Sequence, residues 1–144
     1  MPLRRAKPEV LIVAPGVVLE LFALARFAER VGRVDESLRI FLALRRMRPD
    51  VPEFSSHPAL LLISGGRLAE AKDTLEEYLA SGFEDCSLIR SLLAYIYFKD
   101  HDPAWVRHAR SSIEVAGLDG GSTHQREVLA TLPVDVLDAS EHQY

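Results

Sequence analysis

The sequence predicts an all-α fold, a solenoid of about three helix pairs with a C-terminal capping helix. Apolar residues recur at helical spacing along nearly the whole chain, and no stretch alternates with period two for long enough to indicate a sheet. Glycine and proline residues interrupt this pattern where helices are expected to end. Equivalent residues also recur 34 positions apart, which is the period of a repeated helix pair.

The first two predicted helix pairs are delimited by glycine and proline. The first helix covers 17–31 and ends at Gly32, and the second covers 35–47 and stops before Pro49. A third helix begins with Ser56 or His57 as its N-cap and Pro58 in its first turn, and it ends at 65–66. The fourth runs over 68–79 and is closed by Gly82.

The third pair and the last helix have the following expected bounds. Asp85 is expected to cap a fifth helix that runs through Phe98. Asp102 and Pro103 begin a sixth helix, which continues to 116 before Gly117. A shorter seventh helix covers 122–132 and ends at Pro133.

The repeat is visible as pairs of residues separated by one period. Gly32 and Gly66, Ser37 and Ala71, and Ala25 and Ala59 are each 34 residues apart. In the third unit Ala94 follows at a step of 35, but Ala109 comes 38 after Ala71, which predicts about three extra residues in the turn over 100–103. The small residues are expected to let the two helices of a pair approach closely. The gaps between pairs are expected to be filled by Phe41, Leu75 and Ile113.

Length and composition predict a single soluble domain that needs no disulfide. The chain has 144 residues, of which 48% are hydrophobic and 26% are charged, and its one cysteine has no partner within the chain. We expect an N-terminal segment over 1–16, a helical domain over 17–133 and a C-terminal tail over 134–144.

Charge and hydropathy limit the classes of partner. Residues 1–50 carry a net charge of +4 and residues 51–144 a net charge of −8, so the acidic whole argues against sequence-independent nucleic-acid binding. No apolar run reaches the roughly 20 residues that span a bilayer. The basic cluster Arg4, Arg5 and Lys7 before an apolar run resembles a signal peptide, but Glu9 and Glu20 interrupt that pattern, and a cytoplasmic location is expected.

No constellation of residues predicts catalysis, a metal site or a cofactor. The five histidines lack the spacing of paired metal ligands. The cluster 100–102 is densest in polar groups, but Asp102 is expected to cap a helix there. Cys86 near a helix start has either a lowered pKa or a buried, inert thiol, and the second is favoured because no neighbour supplies a base. The protein is therefore expected not to be an enzyme.

The repeat motifs resemble tetratricopeptide (TPR) repeats. Leu21, Leu24, Ala25 and Ala28 fill the first positions of that pattern, followed by Ser37-x3-Phe41 and Pro49, and then by Ala71-x3-Leu75. The resemblance implies a concave groove lined by the first helix of each pair. The implied groove residues are Leu19, Phe22, Arg26, Leu60, Ile63, Tyr95, Phe98 and Lys99. An apolar groove of this kind suits an amphipathic helix, although the same residues also suit a core or a self-association surface.

A finer resemblance is to the small Hrp-type and needle-chaperone TPR proteins of bacterial type III secretion. It rests on the segment 32–41 (GRVDESLRIF), on 44–49 (LRRMRP), on 66–71 (GRLAEA) and on 102–105 (DPAW). The resemblance implies a non-enzymatic chaperone or assembly factor whose partner is a needle-like subunit or a co-chaperone. A homodimeric scaffold of the secretion apparatus and an adaptor unrelated to secretion remain as alternatives.

Overall fold

The structure is a computed structural model that describes residues 15–134 and residue 137. This part of the chain contains seven α-helices and no strand, which confirms the all-α prediction. They are α1 (Pro15–Arg30), α2 (Val34–Met47), α3 (Glu53–Ser64), α4 (Leu68–Ala80), α5 (Ser87–Lys99), α6 (Ala104–Asp119) and α7 (Thr123–Ala130). The predicted segment 1–16 and tail 134–144 lie almost entirely outside the described residues, as does the cluster of Arg4, Arg5 and Lys7.

The helices form pairs, and the pairs stack into two layers. Helix α1 packs on α2, α3 on α4, and α5 on α6, while α3 also contacts α5 and α5 contacts α7. Phe22 of α1 touches Phe54 of α3, with ring centroids 5.6 Å apart. An ion pair between Arg45 and Glu77 at 2.8 Å joins α2 to α4. We call α1, α3, α5 and α7 the odd layer, and α2, α4 and α6 the even layer.

Small side chains hold the two helices of each pair close together, as predicted. Ala25, Ala59 and Ala94 are fully buried in the odd layer, opposite the fully buried Ser37, Ala71 and Ala109 of the even layer. In the first pair the Ser37 hydroxyl donates a hydrogen bond to the Ala25 carbonyl at 2.8 Å. The helices thus approach within hydrogen-bonding distance of each other's backbone.

The turns inside the three pairs share one hydrogen-bond pattern. The backbone N–H of Arg33 donates to the Ala28 carbonyl, and that of Arg67 donates to the Leu62 carbonyl, both at 2.8 Å. Asp102 makes the same bond to Tyr97 at 2.9 Å in the third pair. This bond closes a helix when the preceding residue adopts a left-handed conformation. That residue is glycine in the first two pairs, whereas His101 takes its place in the third with φ of +58°.

Two predicted helix ends are wrong, and burial of a neighbouring residue explains the first. Helix α3 begins at Glu53 rather than after Ser56 or His57, so Pro58 lies inside the helix. Phe54, on the added turn, is buried against the aromatic rings of the first pair, and that packing stabilises the longer helix. Helix α6 continues through Gly117 to Asp119 and ends at Gly120, whose φ is +85°.

The third pair also differs from the prediction in which side chain it buries. Ile113 was expected to fill the gap after this pair, but it is 51% exposed, and Ser112 is fully buried instead. The Ser112 hydroxyl donates to the Ser87 carbonyl at 2.8 Å and accepts from the Gln125 side chain at 2.9 Å. Since α7 attaches to α6 through this buried polar contact, Ile113 is turned outward.

The capping of the last three helices follows the sequence only in part. Asp102 accepts from the Ala104 N–H at 2.9 Å, as expected. Ser122, for which no capping role was predicted, accepts from the Gln125 N–H at 3.0 Å. Asp85, however, does not cap α5, and its carboxylate accepts from the N–H of Cys86 and from the side chain of Arg90. The first N–H of α5 instead donates to Asp119 at the end of α6, which sequence spacing alone does not reveal.

Candidate protein-binding faces

The eight predicted groove residues lie on α1, α3 and α5 of the odd layer, and none of them is fully buried. Leu19 is 68% exposed, Lys99 is also exposed, and the other six are half-buried. Their helix neighbours Ala25, Ala59 and Ala94 are fully buried. Each of the three helices therefore packs through its small residues and keeps larger side chains at the surface of the layer.

Phe22 joins the first pair to the second through a cluster of rings. Its ring centroid lies 6.0 Å from that of Phe41, 5.6 Å from Phe54 and 5.6 Å from His57. The rings of Phe41 and His57 are stacked, with an interplanar angle of 3°. Burial, together with the positive charge of Arg26, lowers the pKa of His57. This histidine is neutral at neutral pH and belongs to the core as much as to a binding face.

The remaining groove residues form two separate groups. Leu60, Ile63 and Tyr95 all pack against the central core of the second and third pairs. The ammonium nitrogen of Lys99 lies 5.8 Å from the ring centroid of Tyr95. Phe98 instead packs in the third core, edge-on to Trp105 at 5.4 Å. The structure thus brings Leu60, Ile63 and Tyr95 together and assigns Phe98 to a different cluster.

The two cations of the predicted groove have different surroundings. The Nε atom of Arg26 lies 3.5 Å from a carboxylate oxygen of Glu29, one turn further along α1. Lys99 is near the far end of the same layer, at the end of α5. The two cations thus lie on different helices, α1 and α5, and have separate surroundings.

A second apolar face on α1 is not among the predicted groove residues. Val17, Leu24, Phe27 and Val31 are 42%, 51%, 52% and 51% exposed. Their spacing of seven, three and four residues places them along one side of the helix, and we call them the α1 stripe. Beside it, between α1 and α2, lies an open groove of about 340 Å³. The same spacing is readable in the sequence, but it does not distinguish a buried side of a helix from an exposed one.

A partly buried polar network joins α5 to α6. The Arg90 guanidinium binds Asp85 at 3.0 Å and lies 3.1 Å from the Nδ1 atom of His108. The imidazole of His108 is 2% exposed and stacks on the ring of Tyr97 at 5.2 Å. Burial, followed by the charges of Arg107 and Arg90, lowers the pKa of His108 to about 4. This histidine has a packing role in the contact between α5 and α6.

The residues considered for metal binding and for thiol chemistry have the following surroundings. Among the described residues no group of three or more His, Cys, Asp or Glu side chains is placed to hold a metal ion. Cys86 is half-buried, and burial raises the pKa of its thiol, which favours the inert reading over the activated one. In the part of the chain that the structure describes, no helix has the length and apolar character needed to cross a bilayer.

Comparison with known proteins identifies the family. The family model for bacterial type III secretion protein (HrpB1_HrpK) matches residues 8–125, which include α1 to α6 and the first three residues of α7. No curated protein and no solved structure matches the chain. With more than half of its length matched, the chain belongs to the bacterial type III secretion protein family HrpB1_HrpK.

Proposed function

We propose that this protein is a non-enzymatic TPR-type chaperone or assembly factor of a type III secretion system. It acts in the cytoplasm and holds an amphipathic helix of a needle-type subunit against the outer surface of the odd layer. Family membership supports the link to secretion. The observation that carries the binding role is that all eight groove residues, on three successive helices of one layer, keep part of their surface exposed.

The mechanism is the covering of an apolar surface. A needle-type subunit assembles through the apolar sides of its helices, and such a side exposed on a free subunit promotes premature assembly. An amphipathic helix docks through residues spaced at i, i+3, i+4 and i+7, which matches a row of apolar side chains on a layer of helices. Leu19, Leu60 and Tyr95 provide such side chains on α1, α3 and α5.

The test changes residues at the two ends of the outer surface of the odd layer, where substitutions do not disturb the core. Leu19→Asp and Lys99→Glu change exposed residues, so the folded chain is retained. The probe is a labelled peptide carrying the helix of a needle-type subunit, titrated with the purified full chain. Because losing a buried leucine contact costs about 1.5 kcal/mol or more, Leu19→Asp is expected to weaken binding about tenfold or more.

The matched control is Leu118→Asp, which changes a leucine that is 90% exposed on α6 in the even layer. It is expected to bind the peptide as tightly as the unmodified chain. Equal binding by Leu19→Asp, or equal weakening by Leu118→Asp, would place the peptide elsewhere and contradict the assignment of the odd layer.

A further inference from the structure

A cleft of about 290 Å³ opens where α3, α5 and α7 begin, beside the end of α6 and the turn between α4 and α5. We call it the acidic cleft. Among the described residues that line it none is a lysine, arginine or histidine, and five carry carboxylates: Asp50, Glu53, Glu84, Asp85 and Asp119. The cleft therefore combines negative charge with a volume that admits a side chain of another molecule.

Helix starts and an ion pair account for three of these carboxylates. Asp85 and Asp119 accept hydrogen bonds from backbone N–H groups at the start of α5, where the helix dipole favours negative charge. Asp50 lies in an ion pair at 2.9 Å. Glu53 and Glu84 are exposed, and neither forms an ion pair with another of the described residues. These two charges are available to a cationic ligand.

A buried serine hydroxyl at the cleft has no partner. Ser56 is 2% exposed and lines the acidic cleft, so the little of it that is accessible faces that space. Its hydroxyl makes no hydrogen bond to any residue that the structure describes, whereas those of the equally buried Ser87 and Ser112 are both hydrogen-bonded. Leaving a buried hydroxyl without a partner is unfavourable, and a ligand that carries hydrogen-bond donors removes that cost.

A tyrosine at the cleft shows the sign of the local charge. The hydroxyl of Tyr78 donates a hydrogen bond to the Glu84 carbonyl at 2.8 Å. Burial, followed by negative charge on neighbours that include Glu84 and Glu53, raises the pKa of Tyr78 to about 12. The guanidinium of Arg126 packs beside Gly121 without lining the cleft. The cleft is thus negative at neutral pH and offers mainly hydrogen-bond acceptors.

The arrangement of these groups favours an organic cation over a metal ion. Among the described residues, no three carboxylate, imidazole or thiol groups are placed to hold a metal. A guanidinium carries several N–H donors spread over a plane, so it can bind carboxylates and a hydroxyl at separate positions. A lysine ammonium concentrates its donors at one point and matches such a spread of acceptors less well.

We propose that the acidic cleft binds the guanidinium group of an arginine side chain on a partner protein, between Glu53 and Glu84 and within reach of the Ser56 hydroxyl. The proposal does not depend on the proposed function, since none of the eight groove residues lines the cleft.

The test is an NMR titration of the full chain with Nα-acetyl-arginine amide at constant pH and ionic strength. Saturable shifts are expected at the backbone amides of Ser56, Cys86 and Ser87. The citrulline derivative has the same shape with an uncharged head, and it is expected to bind about tenfold more weakly because it forms no charge-assisted hydrogen bonds. The lysine derivative is expected to bind several-fold more weakly than the arginine derivative.

Variants of the lining residues locate the binding. Glu53→Gln with Glu84→Gln is expected to weaken binding of the arginine derivative about fivefold or more, because both unpaired charges are lost. Ser56→Ala is expected to weaken it about threefold, since one hydrogen bond is lost. The matched control is Glu20→Gln with Asp73→Asn, which removes two exposed charges outside the cleft and is expected to leave binding unchanged.

The following results would overturn the proposal. Absence of saturable shifts, or equal binding of the citrulline or lysine derivative, would show that the cleft does not select a guanidinium. Unchanged binding by the variant that lacks both glutamates would place the ligand elsewhere, and equal weakening by the control would assign the effect to net charge. Displacement of the probe by Mg²⁺ or Ca²⁺ at matched ionic strength would assign the cleft to a metal ion. Shifts of the same amides in Arg4→Gln/Arg5→Gln without any probe would assign it to an arginine of this chain.

Discussion

The hydroxyl of Ser37 donates a hydrogen bond to the carbonyl oxygen of Ala25 at 2.8 Å, and both residues are fully buried between α1 and α2. One repeat later, Ala59 and Ala71 occupy the same positions, fully buried and without a hydroxyl. The close approach of the helices is therefore common to both pairs. It depends on the size of the side chains, and the hydrogen bond is an addition in the first pair.

Substitution of Ser37 should separate the effect of size from that of the hydrogen bond. Ser37→Ala is expected to lower the free energy of unfolding by about 1 kcal/mol, because the second pair already packs with alanine at this position. Ser37→Leu is expected to lower it by about 3 kcal/mol, since the larger side chain forces the helices apart. Urea denaturation measures both, with the exposed Ser64→Leu as control. Equal effects of Ala and Leu would contradict the packing account.

His101 adopts a left-handed backbone conformation, with φ of +58°, where the first two pairs have Gly32 and Gly66. His101→Gly is expected to raise the free energy of unfolding by about 1 kcal/mol, because glycine adopts this conformation without steric cost. Gly66→Ala is expected to lower it by a similar amount for the opposite reason. Thermal denaturation measures both changes. A destabilising His101→Gly would show that the histidine side chain contributes more than its backbone costs.

Asp119 connects the end of α6 to the start of α5. Its carboxylate accepts from the N–H and the hydroxyl of Ser87, both at 2.9 Å. Burial opposes ionisation, but the hydrogen bonds from Ser87 and Gly121 prevail and lower the pKa of Asp119. Asp119→Ala should cost about 1 to 2 kcal/mol of stability, as the loss of a helix cap does. The exposed Asp73→Ala should cost far less, and equal effects of the two changes in urea denaturation would argue against the capping role.

The buried His108 should make stability depend on pH in the acidic range. In the folded chain its pKa is about 4, whereas the unfolded chain has the ordinary value near 6.5. Between these values the unfolded chain binds more protons, so stability falls as the pH decreases from 6.5 to 4, by up to about 3 kcal/mol.

The variant His108→Gln isolates this contribution from those of the carboxylates, which titrate in both proteins. Glutamine provides an acceptor for Arg90 but does not titrate. The difference in the free energy of unfolding between the two proteins should therefore change with pH between 6.5 and 4. A difference that stays constant over this range would show that His108 protonates without cost in the folded chain.

Much of the fold can be predicted from the sequence because small residues and glycines recur at the spacing of the repeat. Ala25, Ala59 and Ala94 mark the contact inside each pair, and Gly32 and Gly66 mark two of its turns. The local sequence pattern does not show which helix ends are stabilised by packing against other helices. Proline at position 58 suggests a helix start, but α3 begins earlier in the chain, at Glu53, because Phe54 is buried.

The binding faces are only partly predictable for the same reason. Periodicity places Leu19 and Phe22 on α1, but it does not show that Leu19 stays exposed while Phe22 joins three other rings. Phe98 and Tyr95 are close in sequence and yet pack in different cores. The exposed α1 stripe has the spacing of a buried side, and only the packing of the neighbouring helices distinguishes the two.

The mass of the particle that this protein forms shows whether it holds a helix of a needle-type subunit. Light scattering on the purified chain, alone and after co-expression with needle-type subunits, measures both the oligomeric state and the retention of a partner. We expect a discrete heterocomplex that is more stable to heat than the chain alone, since a bound partner stabilises the folded state. A discrete homodimer that retains none of the subunits would contradict it and favour a scaffold of the secretion apparatus.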